Sequence, residues 1–514
     1  MPTYLSPGVY VEETEAGSRP IEGVGTAVAA FVGFAASGPF NTPTLVTNWS
    51  QYTQTFGEFV EGAYLSHAVY GYFQNGGGAC YVVRVGGNGS SNGSGEGVAQ
   101  LASGSDPSVG AYRVKMLPAA QSEGAGDISV EVADAAKGGA DDTFDLLVKR
   151  GNDVAEKFEG VTSKPGKQNV VTVVNAKSKL VQLEELLKDP VDSVARGVVS
   201  LSGSSAALVP TSVGAEDIVG DPAHRSGIGG LEAIDEVTMV LAPDLMSAYQ
   251  RGLIDLETLQ SVQLAMISHC ELMGDRVAIL DPPPGLNAQQ IKEWRVEKAG
   301  YDSKYAALYW PWIKVLDPLS GKNIFVPPSG HMAGIWGRND DTRGVHKAPA
   351  NEVIRGAVSL EVNITKAEHD LLNPEGINCI RAFPGRGIRV WGARLLSSDP
   401  AWRYLNIRRF FNYLEKSILN GTDWVVFEPN DPALWAKIRR SISAFLVNEW
   451  RKGALFGATP GDAYYVKCDD ENNPAEGIDA GQVVCDIGVA PVKPAEFVIF
   501  RLSQFSGGVS LVSE

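Results

Sequence analysis

Cysteine is sparse in this sequence, with five in 514 residues, odd in number and widely scattered. That excludes a disulfide framework, and Cys468 and Cys485, which flank a predicted hairpin, read as a reduced pair. Long apolar runs are missing too. None approaches the roughly 18 residues of a membrane-spanning helix, so no direct membrane insertion is expected. Residues 1–13 have neither a basic nor an apolar stretch and do not read as a signal peptide. Positive charge is also in deficit: 44 Lys and Arg stand against 60 Asp and Glu, a formal net charge of −16. That balance argues against nucleic acid as a partner. What is present is an ordinary globular mix, 44% hydrophobic and 20% charged. Its length implies two to four domains.

The charge is uneven. Residues 381–452 hold 13 Lys and Arg against 6 Asp and Glu, so this segment carries +7 and the remainder −23. Part of it lies on a predicted helix over 432–455, which opens with Asp431 as N-cap and Pro432 in the first turn. Leu434, Trp435, Ile438, Ile442, Phe445 and Leu446 share one face. At about 100° per residue, Lys437, Arg440, Ala444, Asn448 and Arg451 fall opposite, on a polar and basic face.

Taken in order, residues 1–22 have too few apolar positions for a core, and Leu5, Val9 and Val11 alternate with polar or small residues in a partial β pattern. Strands are predicted over 27–34 and 80–85, with helices at 50–56 and 67–74 between them. Residues 86–97 read as a Gly/Ser linker. From 98 to 220 the pattern is mostly β, an inserted domain with strands at 112–116, 128–132, 144–148, 170–174 and 198–201 and one helix at 180–187. Strands at 237–241, 276–280 and 306–310 then alternate with helices at 256–272 and 288–298, which implies parallel βαβ units. The α/β core is therefore 23–85 plus 221–387. A C-terminal α+β domain spans 388–503, with a strand at 388–395, helices at 401–419 and 432–455, and an antiparallel set at 464–467, 483–487 and 497–502. Residues 504–514 form a tail.

Residues 326–357, VPPSGHMAGIWGRNDDTRGVHKAPANEVIRGA, concentrate reactive side chains: His331, Arg338, Asp340, Asp341, Arg343, His346 and Lys347. Two readings compete. In the first, an α/β hydrolase-type enzyme uses this loop as its site, with Asp244 and Asp281 at strand ends where doubly wound enzymes place catalytic groups. Only Ser329 could be the nucleophile, and no G-x-S-x-G turn surrounds it. His331 and His346 are too far apart to share a helical face, as a metal site would want. In the second reading Ser329 caps a short helix over 330–338, and Asp340 and Asp341 pair with Arg338 and Arg343.

The segment PPSGHMAGIWGRNDDTRGVHKAPANE resembles the signature of contractile tail sheath proteins, found in contractile phage tails, R-type bacteriocins and extracellular contractile injection systems. APVKPAEFVIFRLSQ (490–504) resembles the family's closing strand, and YLSPGVYVEE (4–13) its N-terminal arm. Three matches in family order span both ends of the chain. The resemblance implies an α/β multidomain fold: a subtilisin-like α/β core without the catalytic triad, an inserted mostly-β domain projecting outward, and a C-terminal α+β domain with extended terminal arms. It implies a non-enzymatic subunit, without cofactor or metal, that polymerises helically around an inner tube in a metastable extended state and contracts to drive the tube through a target envelope. Its partners would be copies of itself, the inner tube protein, and baseplate and terminal cap proteins, with assembly in the cytoplasm of the producing bacterium. Tyr4, Leu5, Val9 and Val11 of the first arm, and Phe497, Ile499 and Leu502 of the last, would stitch neighbours together. Lys437, Arg440 and Arg451 are the expected tube-facing residues, on charge as well as resemblance.

Overall fold

A computed structural model of the chain describes residues 20–86, 98–102, 110–117, 128–135, 143–151, 153–186, 194–201, 210 and 212–501. The expected arm residues Tyr4, Leu5, Val9, Val11 and Leu502, most of the Gly/Ser linker and the tail lie outside the described residues.

The chain first lays down β1 (Val28–Gly33), β2 (Thr44–Val46), α1 (Trp49–Phe56), α2 (Leu65–Asn75) and β3 (Ala79–Arg84). It then leaves the core for an insertion with β4 (Val98–Ala102), β5 (Gly110–Met116), β6 (Ile128–Asp134), β7 (Thr143–Arg150), β8 (Asp153–Thr162), α3 (Val170–Lys177), β9 (Val181–Glu185) and β10 (Gly197–Leu201). These strands make two antiparallel sheets, β10-β6-β7-β8 and β4-β5-β9. They close on their own core, in which Tyr112, Val130, Leu146, Val161 and Leu183 are buried.

Two expectations fail here. Residues 170–174 are a helix rather than a strand. The run V-V-T-V-V has β propensity, but the Asn169 side chain accepts the Thr172 N–H at 3.1 Å, and Val170 and Val174, one turn apart, both enter the core. Capping plus i,i+4 burial outweighs propensity. Conversely, 180–187 contains a strand, because Val181 and Leu183 are buried while Gln182 and Glu184 are exposed, a period of two. Strands β4 and β8 had not been anticipated from the sequence.

The core resumes with β11 (Met239–Leu241), α4 (Asp244–Gln250), α5 (Leu256–Met273), β12 (Val277–Leu280), α6 (Ala288–Glu293), β13 (Ala306–Trp310), β14 (Ile313–Leu316), β15 (Asn323–Val326), α7 (Ser329–Arg343), β16 (Ala357–Leu360), α8 (Lys366–Leu372), β17 (Ile377–Phe383) and β18 (Gly387–Val390). The main sheet has eight strands in the order β18-β17-β13-β12-β11-β1-β3-β2. The six inner strands are parallel, and β2 and β18 add antiparallel at the two edges. Side chains alternate between the faces: Ala30, Val32, Val240 and Leu280 pack toward α4, α5 and α6, whereas Ala29, Phe31, Leu241 and Ile279 pack toward α1, α2 and α7. Both faces are covered, which is why the strands read as unbroken apolar runs. The strand expected over 388–395 is shorter and belongs to this sheet through β17.

Two helices follow, α9 (Leu405–Gly421) and α10 (Pro432–Arg451), then the hairpin β19 (Tyr464–Lys467) and β20 (Asp486–Val489). Asp431 caps α10 by accepting the Leu434 N–H at 2.7 Å. The buried residues of α10 pack with Phe410, Leu414, Leu455 and Ile21. The third strand expected over 497–502 pairs with nothing among the described residues.

Candidate functional site

Parallel α/β sheets bind ligands in the crevice at the C-terminal strand ends, where strand order reverses. In this sheet that point lies between β1 and β11, and Asp244 sits on it. Its carboxylate accepts backbone N–H groups from Phe34 (2.6 Å), Leu65 (3.2 Å) and Tyr64. The side chain is 1% exposed, and burial pushes its pKa up to about 7 against the pull of the three amides. The position that opens a crevice in ligand-binding relatives of this topology is stitched shut.

Asp281, after β12, is used similarly. Ser329 donates its backbone N–H at 3.0 Å and its hydroxyl at 2.5 Å to the Asp281 carboxylate. Burial raises the Asp281 pKa to about 7, the Ser329 bonds offsetting only part of the cost. Ser329 is fully buried and stands inside the first turn of α7 rather than before it, so it does not cap the helix.

The helix itself runs from Ser329 to Arg343, longer than the expected 330–338. It lies against α2 at a distance only glycines permit. A Cβ on Gly330 would stand 2.4 Å from the Ala68 carbonyl oxygen, and one on Gly334 would stand 2.3 Å from that of Tyr72. In return, Gly71 of α2 makes room for the His331 imidazole. His331 is buried with Nδ1 lacking a hydrogen-bond partner among the described residues. Burial, reinforced by nearby His67, lowers its pKa to about 3. His67 instead contacts Asp317 at 3.3 Å. The serine is thus paired with an aspartate, and a different aspartate with a histidine, and no Ser–His hydrogen bond forms among the described residues. The hydrolase alternative finds no support in this geometry. Among the described residues, no group of three or more His, Cys, Asp or Glu is placed to hold a metal.

The expected local ion pairs of this stretch are replaced by distant ones. Arg409 of α9 donates to Asp340 (Nη1–Oδ1, 3.0 Å) and to the Thr26 carbonyl (3.0 Å), and lies 4.8 Å from the Trp336 ring. Thr26 closes the set with a 2.6 Å bond to Asp340. Arg338 pairs with Glu352 rather than an aspartate. The cause is burial: Asp340 and Arg409 are each at most 5% exposed, and charges so deep require a partner wherever the fold supplies one.

Two surfaces behave in the opposite way. Lys437, Arg440 and Arg451 stand exposed on the α10 face opposite Leu434, Ile438, Ile442 and Phe445, and none forms an ion pair with a described residue. At the end of the chain, Phe497, Val498, Ile499 and Phe500 are 73%, 67%, 79% and 85% exposed. Just before them, Glu496 is held by Arg394 (2.9 and 2.6 Å), Asn373 (2.7 Å) and Tyr404 (3.0 Å), a cluster the sequence reading did not find.

These features define a mixed α/β multidomain protein that buries Asp244, Asp281, Ser329 and His331, leaves Asp341 and Arg343 exposed, and presents charge and apolar surface without partners among the described residues. The model of the phage tail sheath protein central domain matches residues 228–394, and that of the phage tail sheath C-terminal domain matches 397–505. The tail sheath protein of Burkholderia phage BcepMu is 23% identical over 513 residues, 96% of this chain and 95% of that one. That of Vibrio phage KVP40 is 27% identical over 283 residues, half of this chain but 41% of its own length. The chain thus spans less than half of some relatives it matches. Its fold resembles the helical sheath of the anti-feeding prophage in the contracted state, with a TM-score of 0.58 at 23% identity, covering 98% of this chain and all of that one. The chain belongs to the contractile tail sheath family.

Proposed function

We propose that this chain is a structural subunit of a contractile sheath, which polymerises helically around an inner tube in a metastable extended state and contracts to drive the tube through a target envelope. The observation that carries the reading is the exposed run 497–500. Four consecutive large apolar side chains in solvent, with no backbone hydrogen bond to the described residues, are a strand lacking its sheet. A second copy of the chain supplies that sheet. Phe497, Ile499 and Leu502 form one linking arm, and Tyr4, Leu5, Val9 and Val11 form the other.

Within the same reading, Lys437, Arg440 and Arg451 face an acidic tube. A screened electrostatic contact holds the tube while loaded and lets it slide when released, which apolar docking would resist. The insertion projects outward, the α/β core is of the subtilisin type without its triad, and baseplate and cap proteins terminate the polymer, which assembles in the cytoplasm of the producing bacterium. No nucleotide is required when the energy resides in two packings of one subunit.

Deleting residues 2–20 tests the arms. The monomer should fold, since the described core begins at Ile21, and negative-stain imaging should show no sleeves. Full-length sleeves from the truncated chain would refute strand exchange.

A further inference from the structure

The exposed run 497–500 begins one residue after the most heavily tethered carboxylate near the end of the described chain. Glu496 receives two hydrogen bonds from the Arg394 guanidinium, in a bidentate arrangement, one from the Asn373 amide and one from the Tyr404 hydroxyl. Both carboxylate oxygens are occupied twice. Arg394 is 9% exposed and is itself fixed: its N–H donates to Asn378 Oδ1 (2.7 Å), its carbonyl accepts from Asn378 Nδ2 (2.8 Å), and its Nη1 donates to the Asn373 carbonyl (3.1 Å). Asn378 is a fully buried residue of β17.

The tether therefore reaches three elements at once. Through Asn378 it holds the main sheet, through Asn373 the end of α8, and through Tyr404 the N-cap of α9. Burial alone would push the Glu496 carboxyl up, but the bonds from Arg394 and Asn373 outweigh it and hold the group below the usual carboxylate range. Charge-assisted bidentate pairs fix direction as well as position.

We propose that Glu496 is a positioning residue for assembly, whose grip by Arg394, Asn373 and Tyr404 sets the point and direction at which the linking arm leaves the subunit and passes load on that arm to the core sheet and α9 together. This rests on the reading of 497–502 as an arm that pairs with a second copy. Without the grip the same apolar strand leaves on a loose tether, and the ordering cost of aiming it falls on each assembly step.

The test compares three variants of the full chain with wild type, reading monomer melting, hydrogen exchange over 490–501 and the protein concentration at which sleeves form. Glu496→Gln keeps the shape and removes the charge. It should stay folded but melt below wild type, because the nearly buried Arg394 loses its counter-ion. It should also exchange faster at 494–501 beyond what that lower stability imposes, and need a roughly tenfold or higher concentration to form sleeves, the scale set by losing hydrogen bonds to a charged group. Tyr404→Phe removes one of the four bonds and should show a smaller change of the same kind, so the inference remains testable even if Glu496→Gln folds poorly. Ending the chain at Glu496 should abolish sleeves. If the shortened chain assembles normally, the arm reading fails and takes this inference with it. If the shortened chain fails while Glu496→Gln and Tyr404→Phe assemble like wild type, the arm stands and the positioning role is overturned.

Discussion

Helices α7 and α10 look alike in composition and behave oppositely. Each mixes apolar residues with several charges. Yet Ser329 to Gly337 of α7 are buried without a break, while α10 buries one stripe and leaves Lys437, Arg440, Asn448 and Arg451 in solvent. The difference lies in what surrounds them. A helix on the surface must choose a face, so its sequence is periodic. The first two turns of α7, buried between α2 and the sheet, are enclosed on all sides. Their limiting condition is approach distance, met by Gly330 and Gly334, which write a spacing of small residues rather than an apolar stripe. Charge in a sequence reports exposure only for the first kind.

That contrast can be broken most forcefully at the buried charges. Arg409→Ala leaves Asp340 without its counter-ion in a site 5% exposed. It should cost about 3–5 kcal/mol of monomer stability by denaturant unfolding; a value within the noise would mean the pair is solvated. The next effect is steric. Gly334→Ala places a methyl against the Tyr72 carbonyl and should cost about 1–3 kcal/mol, because backbone has to move.

A third test uses pH. Asp281 has a folded pKa raised to about 7, above the roughly 3.9 of an unfolded aspartate, so the native state binds the extra proton. Its favourable contribution is complete below pH 4 and is lost as pH rises toward 7. Melting of wild type and Asp281→Asn measured from pH 4 to pH 8 should therefore diverge in favour of the asparagine variant, then run parallel. Parallel curves throughout would place the ionised carboxylate in a better solvated site.

The smallest effect on folding belongs to α10. Converting Lys437 and Arg440 to Glu should move stability by less than about 0.5 kcal/mol, since both side chains are exposed. The same double variant should weaken extended sheath–tube assembly, and high salt should imitate it in part. Tube-filled sheaths formed as readily as wild type at both salt concentrations would leave this face as mere solvated surface.

The contrast also explains what the sequence disclosed. Five of the six parallel strands were legible because double-sided burial writes them as short apolar runs, and α10 because its cap and stripe are local; β17, Ile377–Phe383, was not, because Asn378 and Arg381 interrupt its run. The exchange of helix and strand between 170–174 and 180–187 arose where tertiary burial overrode a β-branched run, and where V-Q-L-E-E was too short to show its period. The Asp340–Arg409 pair and the Glu496 cluster were invisible for a different reason. Their members lie far apart in sequence, and nothing local marks Glu496 beyond its place before an apolar run.

The two antiparallel edge strands have a consequence for fidelity. A chain that joined its neighbours by adding strands, as proposed above, would be exposed to joining them in the wrong place. An eight-stranded sheet with free edges would be a standing invitation to mispairing in a crowded cell. Here β2 is three residues long, and β18 has its outer backbone occupied: Val390 donates to Glu352, while Asn351 and Ile354 donate to Val390 and Ile388. The large sheet is blunted at one side and sealed at the other. Under the strand exchange proposed above, subunits would therefore meet few competing templates, and the segment after Glu496 would find its sheet on a neighbour without first having to unlearn a mistake.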